Sequence, residues 1–260
     1  MPVLTGDVKS LVEAFVDEVR AWRKSHPLEP YLVLVPGYEW ARVLKQSVAA
    51  GLEPVAGALP PPGGEYLDMA SASARTCGRR RARRDDMYEA CVRAAEAIVG
   101  GGDARPALIQ AVKSGFAAAY AAGMTYEHLS KAAERNPSRH GRLHVLARGM
   151  EAFAGALKDR NCLLPEQMMT EGDAKKLLLY GALFVFGFYD LAAAQQTFME
   201  KVLQDFREAG RRVAVFLPVP EGGWGEYAGR TVGFFSLAAG GEKRVSRSPE
   251  RRFWKIRSAA

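Results

Sequence analysis

Tyr31-Leu-Val-Leu-Val35, followed at once by Pro36-Gly37, is the segment from which the architecture can be worked out. Five apolar residues in a row, with no polar alternation, suit a strand buried on both faces of a parallel sheet, and Pro-Gly ends it. Upstream, Pro2-Val-Leu-Thr5 is a shorter strand candidate. Asp7 can cap a helix that runs to about Lys24 and carries Leu11, Phe15, Val19 and Trp22 on one face. Downstream, a second helix is expected from about Glu39 to Ala50. Strand, helix, strand, helix is the order of a doubly wound α/β domain.

The same grammar returns near the other end of the chain. Leu177-Leu-Leu-Tyr-Gly-Ala-Leu-Phe-Val-Phe186 contains a buried strand, residues 191 to 209 form a helix, and Arg212-Val-Ala-Val-Phe-Leu217 is a further strand. Gly210 sits where a helix C-cap belongs. Between these blocks, residues 51 to 70 are rich in Pro and Gly, including Pro60-Pro-Pro-Gly-Gly64, and read as a loop. From about Asp85 to Thr170 the apolar positions follow helical spacing, broken at Gly100-Gly-Gly102, Gly123, Pro137 and Pro165, which predicts about four helices and no strand. Neither outer block holds enough strands for a stable sheet. The two are therefore expected to share one: 1–70 and 176–240 as halves of an α/β domain, 71–175 as an all-helical insertion, and 241–260 as a basic tail.

Composition supports a globular chain. Of 260 residues 48% are hydrophobic and 25% charged, with 36 Lys+Arg against 29 Asp+Glu for a net charge of +7. That excludes disorder for most of the chain, and permits a polyanionic partner. No apolar stretch approaches the roughly 20 residues of a membrane helix, so no membrane association is expected. The opening MPVLTGDVKS lacks the basic and apolar regions of a secretory signal, and Cys77, Cys91 and Cys162 are scattered, with no C-x-x-C pair. A cytoplasmic address, without disulfides or structural zinc, is the expectation.

Catalytic motifs are missing or damaged. Phosphate cradling after the first strand needs G-x-x-x-x-G-K-[ST], whose backbone N–H groups and lysine hold the anion. The chain has Thr5-Gly6-Asp7-Val8-Lys9-Ser10: Gly6, Lys9 and Ser10 stand in the right place, but the loop is three residues too short and puts Asp7 where phosphate oxygens would lie. The sequence favours the plainer reading, a strand-to-helix turn with a capping aspartate. His140 and His144 share a helix face, but H-E-x-x-H is broken by Gly141, which favours a packed or solvated pair over a metal site. There is no G-x-S-x-G elbow and no restriction-type P-D...(D/E)-x-K set.

Leu183-Phe-Val-Phe-Gly-Phe-Tyr-Asp-Leu-Ala-Ala-Ala-Gln195 resembles the Walker B strand of UvrD-type superfamily I helicases, h-h-V-D-E-F-Q-D-x-x-x-x-Q, with the acidic pair replaced. Phe186 and Gly187 stand in that pair's places, Asp190 in that of the second aspartate and Gln195 in that of the closing glutamine. The G-F-x-D version is similar to that of the AddB and RecC subunits of bacterial helicase-nuclease complexes. Tyr31 to Leu44, with Pro36, Gly37, Tyr38 and Trp40, resembles their motif Ia, which lies along single-stranded DNA. Ser114-Gly-Phe116, Ala122 to Leu129 and Leu157 to Pro165 resemble their helical domain 1B, and Val213 to Pro218 their next core strand. The likeness covers residues 1 to about 240, the amino-terminal part (domains 1A and 1B) of such subunits.

The resemblance implies a P-loop NTPase-like (RecA-like) parallel sheet with an inserted all-helical subdomain. It also implies degenerate ATPase motifs, no bound cofactor, and no ATP hydrolysis, since a motor needs the phosphate lysine, the acidic pair and an arginine from a second domain. The expected role is a non-catalytic, helicase-like DNA-binding or scaffold component of a helicase-nuclease system in repair or recombination. Its expected partners are single-stranded or end-containing DNA and a partner helicase or nuclease subunit. Arg79, Arg80, Arg81, Arg83 and Arg84, with Arg75, are the candidate phosphate contacts, and the tail adds Arg244, Arg247, Arg251, Arg252, Lys255 and Arg257 around Phe253-Trp254. Solvated helix faces or a loose tail account for the same runs. Two other readings stay open: a protein-docking module for a nuclease or motor without DNA contact, and an enzyme using Asp190 or the loop at Gly222-Gly-Trp-Gly225.

Overall fold

A computed structural model describes residues 1–51, 63–219 and 225–238. In chain order the elements are β1 (Val3–Gly6), α1 (Val8–Ser25), β2 (Tyr31–Leu34), α2 (Tyr38–Gly51), β3 (Glu65–Leu67), α3 (Met69–Thr76), β4 (Arg80–Arg81), α4 (Arg84–Val99) and α5 (Pro106–Ala121). Then come α6 (Tyr126–Arg135), α7 (His140–Asp159), β5 (Cys162–Leu163), α8 (Pro165–Glu171), β6 (Ala182–Phe186), α9 (Ala193–Glu208), β7 (Arg212–Pro218) and α10 (Gly225–Ala238). They form two units. The first comprises the described residues of Met1–Ala72, Ala174–Leu191 and Met199–Ala260; the second comprises Ser73–Asp173 with Ala192–Phe198.

The first unit is an α/β body around one five-stranded sheet in the order β1-β7-β6-β2-β3, with every pair parallel. Strands from before and after the helical block thus share a single sheet, as the apolar runs predict. β6 and β7 lie between β1 and β2, so α1 must cross over both of them. Along each inner strand, successive side chains point to opposite faces, and both sets are buried. Tyr31, Val33, Phe184, Phe186, Ala214 and Phe216 share a core with α1 and α2, while Leu32, Leu34, Leu183, Val185, Val213 and Val215 are buried on the other face. At the centre of the first core, Phe15 of α1 stands edge-on to Phe184, Phe186 and Phe216 at centroid distances of 5.8, 5.8 and 5.6 Å.

Two segments differ from the sequence expectation, and in a third, 177–186, the expected strand takes up only part of the run. Residues 65–67, placed in a loop by their Pro/Gly-rich approach, form edge strand β3 on β2, and Tyr66 meets Tyr31 hydroxyl to hydroxyl at 3.4 Å. The run 177–186 divides: Ala174–Leu179 is a 3-10 helix, and only Ala182–Phe186 is strand. The helical block holds a two-stranded parallel ladder, β4 on β5, pairing Arg80 with Cys162 and Arg81 with Leu163.

The second unit packs α4, α5, α6 and α7 around Ala90, Ala94, Phe116, Met150 and Phe153. Small residues let α4 and α7 approach closely: a Cβ on Gly149 would lie 2.6 Å from Ile98 Cγ1. Among the described residues no helix is long and apolar enough to cross a membrane. The basic tail and the Gly222–Trp224 loop lie outside the described residues.

Because Phe15 joins α1 to strands from the far end of the chain, Phe15→Ala is expected to cost about 3–5 kcal/mol, read as a fall in the urea unfolding midpoint. A loss under about 1 kcal/mol would show that the sheet does not depend on this contact.

Candidate functional site

In an open parallel sheet, ligands bind in the crevice beyond the carboxyl ends of the strands. β1 delivers Gly6 there, and α1 begins two residues later. Asp7 is the helix N-cap: its Oδ1 accepts from Ser10 N–H at 3.0 Å and its Oδ2 from the Ser10 hydroxyl at 2.6 Å. Partial burial pushes the Asp7 carboxyl up, but the Ser10 hydroxyl and the backbone N–H groups outweigh it and hold the group below its ordinary 3.8. A carboxylate therefore occupies the amides and the positive dipole end that a phosphate would need. Ser10 is buried and committed to that cap, and Lys9 is exposed.

At the carboxyl end of β6 the structure brings together residues from both recognised segments. Phe186 is fully buried, stacked on Phe216 at 5.9 Å and met by the Trp40 indole at 5.2 Å. Gly187 follows with φ of +85°, a conformation that disfavours side chains, and a Cβ there would lie 3.3 Å from the Trp40 ring and 3.5 Å from Pro36 Cδ. Trp40 and Pro36 thus close over Gly187 at the carboxyl end of β6. Trp40 is half-buried in that packing. Gly37 precedes α2, its carbonyl accepting from Ala41 N–H, and Tyr38 is 76% exposed.

The remaining candidates of this segment are structural in their contacts. Asp190 is exposed and accepts from the Leu191 N–H at 2.9 Å. Gln195 Oε1 accepts from the Ala192 N–H at 3.0 Å, the reciprocal half of a capping box at the start of α9.

The arginine run belongs to the second unit, and its members differ in what they do. Arg80 holds Asp86 with two parallel bonds, Nη1 to Oδ2 at 2.6 Å and Nη2 to Oδ1 at 2.8 Å. Arg160 reaches the same carboxylate at 3.2 Å and also bonds Glu89, while Arg83 donates its backbone N–H to Asp86 at 2.8 Å. Asp86 is 4% exposed, and the Arg80 guanidinium, aided by these donors, holds its carboxyl far below the usual range. Arg80 is therefore the partner that makes a buried carboxylate tolerable. Arg79 lies 3.5 Å from Glu171. The side chains of Arg81, Arg83 and Arg84 face solvent, and it is they that can meet phosphates.

His140 and His144 are exposed and stacked at 5.9 Å, with His140 Nδ1 3.1 Å from the Ala133 carbonyl. Among the described residues no group of three or more His, Cys, Asp or Glu could hold a metal ion. Cys91 and Cys162 are buried, and burial pushes both thiols up.

One feature escaped the sequence reading: a groove between α4 and α5 lined by Arg84, Met87, Tyr88, Cys91, Pro106, Ile109, Gln110 and Lys113. The signal was present, since each helix contributes residues at i, i+3, i+4 and i+7. No protein-family model matches the sequence, and a search of curated proteins finds no match.

Two sets of variants check this site. Gly187→Ala is expected to cost about 1–2 kcal/mol through backbone strain, and Trp40→Ala about 2 kcal/mol, whereas Tyr38→Ala should stay within about 0.5 kcal/mol. Asp7→Ala should cost about 1 kcal/mol at neutral pH. The folded Asp7 carboxyl is lowered, so its contribution is complete above 3.8 and is lost as pH falls through the folded value. The gap between wild type and Asp7→Ala, followed by urea titration, should therefore narrow in acid. A pH-independent gap would assign the cap no charge.

Proposed function

We propose that this chain is a non-catalytic, helicase-like body that holds single-stranded or end-containing DNA and serves as a scaffold in a helicase-nuclease system of repair or recombination. The observation that carries the non-catalytic half is the closure of the sheet's carboxyl end: Asp7 caps the α1 amides, and Trp40 and Pro36 cover Gly187. A triphosphate would meet a carboxylate at the helix terminus and would find Phe186-Gly187 where a carboxylate should hold Mg²⁺. The P-loop-like, RecA-like reading of the sheet belongs to the same proposal, supported by strands from both ends of the chain lying parallel in one sheet.

The DNA-holding half is supported by the exposed side chains of Arg81, Arg83 and Arg84 and by the net charge of +7. Exposed guanidinium groups need no partner to remain in water, and they release counterions from a phosphate backbone when they bind it.

Two measurements test the proposal. Titration calorimetry with Mg-ATP at millimolar concentration should give no binding heat; binding there would overturn the non-catalytic half. Fluorescence anisotropy with a tailed duplex should show affinity falling steeply with salt. Arg81→Gln, Arg83→Gln and Arg84→Gln should each flatten the slope of log K against log salt by about 1. Unchanged slopes would remove these arginines from the interface.

A further inference from the structure

We propose that the groove between α4 and α5 is a slot for one unpaired DNA base, stacked on Tyr88 and flanked by phosphates held by Arg84 and Lys113. This rests on the DNA-holding role above and names the form of DNA that role requires.

The groove is built alike from both sides. Arg84, Met87, Tyr88 and Cys91 form one face of α4, and Pro106, Ile109, Gln110 and Lys113 one face of α5. Met87, Cys91, Pro106 and Ile109 supply the apolar lining and the two cations the charge. The volume is about 410 Å³, within the roughly 300–1,000 Å³ of small-ligand sites. Tyr88 is 64% exposed, a large ring left in water beside an apolar slot. Such a ring offers a sequence-tolerant stacking face, because every base has a π surface, and the Gln110 amide can serve a base edge.

Charge selects the occupant. Asp86 is paired with Arg80 and Arg160, and Glu89 with Arg93 and Arg160, and neither carboxylate is among the lining residues. Asp85 is not among the lining residues. Arg84 and Lys113 remain to face the slot, with Arg81 and Arg83 just upstream in sequence. An apolar slot with cations on it fits a flat apolar group carried between anions. A base between two phosphates is that group, and in a duplex the same base is already stacked and paired.

The test uses the full chain with fluorescent oligothymidylate and an all-abasic strand of the same length. Tyr88→Ala should weaken oligothymidylate about ten-fold and leave the abasic strand unchanged. Lys113→Gln should weaken both strands and reduce the salt slope by about 1. Both residues are exposed, and unchanged melting temperatures should show that the variants fold. If wild type binds oligothymidylate and Tyr88→Ala binds it equally well, the slot is overturned and the DNA-holding role stands. If Tyr88→Ala weakens polyglutamate as much as oligothymidylate, the groove takes acidic peptide and the proposal falls. If wild type binds neither strand, the DNA-holding role fails and the slot with it.

Discussion

Phe15 stands on three phenylalanines that the chain reaches only after residue 180: Phe184 and Phe186 on β6, and Phe216 on β7. This contact follows from the strand order. With β6 and β7 between β1 and β2, helix α1 crosses over strands that do not yet exist when the first 70 residues have been made. Its apolar face, Leu11, Phe15, Val19 and Trp22, has no sheet to cover until the second half arrives. The pairing is non-local and parallel, the slowest kind to form, since loop closure must precede any gain in burial. The core of the α/β unit is therefore shared between two distant stretches of chain, and the helical unit between them has its own core around Phe153.

Elements were legible in the sequence where burial alone dictates them. Tyr31 to Val35 shows as a continuous apolar run because both faces of β2 are covered, and Arg212 to Leu217 shows for the same reason. β3 was not legible, since three edge residues with a glutamate among them carry too little pattern, and their pairing partner lies in β2, more than 30 residues earlier. β4 and β5 were hidden for a different reason. Two-residue strands have no periodicity, and what holds β4 near its partner is a polar knot around Asp86, with Arg160 arriving from 74 residues away. Where in the run 177–186 the strand begins was not legible, because an apolar run does not distinguish a strand from a turn of 3-10 helix leading into it.

The candidate site divides in the same way. Asp7 as a helix cap follows from local chemistry and was legible. The role of Trp40 was not, because an indole six residues beyond β2 can face solvent or core with equal local preference, and what leaves room for it is the missing Cβ at Gly187. A run of five arginines looks uniform in sequence, yet one of them is held by a buried carboxylate, one lies near Glu171, and three reach water. Which is which depends on Asp86 and Glu171, whose positions belong to the fold.

On the proposed reading, stability explains why the two kinds of site have fared differently. The strand that delivers residue 186 is buried on both faces, so a carboxylate there without its metal would be an uncompensated charge in a dry sheet. A phenylalanine in its place, with a glycine that lets Trp40 close down, turns that cost into burial. Replacement of the acidic pair is thus favoured as soon as the nucleotide is no longer used. The side chains of Arg81, Arg83 and Arg84 carry no such cost, because they remain in water whether or not a partner comes. On that reading the exposed cations cost the fold nothing to keep, whereas a buried carboxylate without its metal would cost it stability.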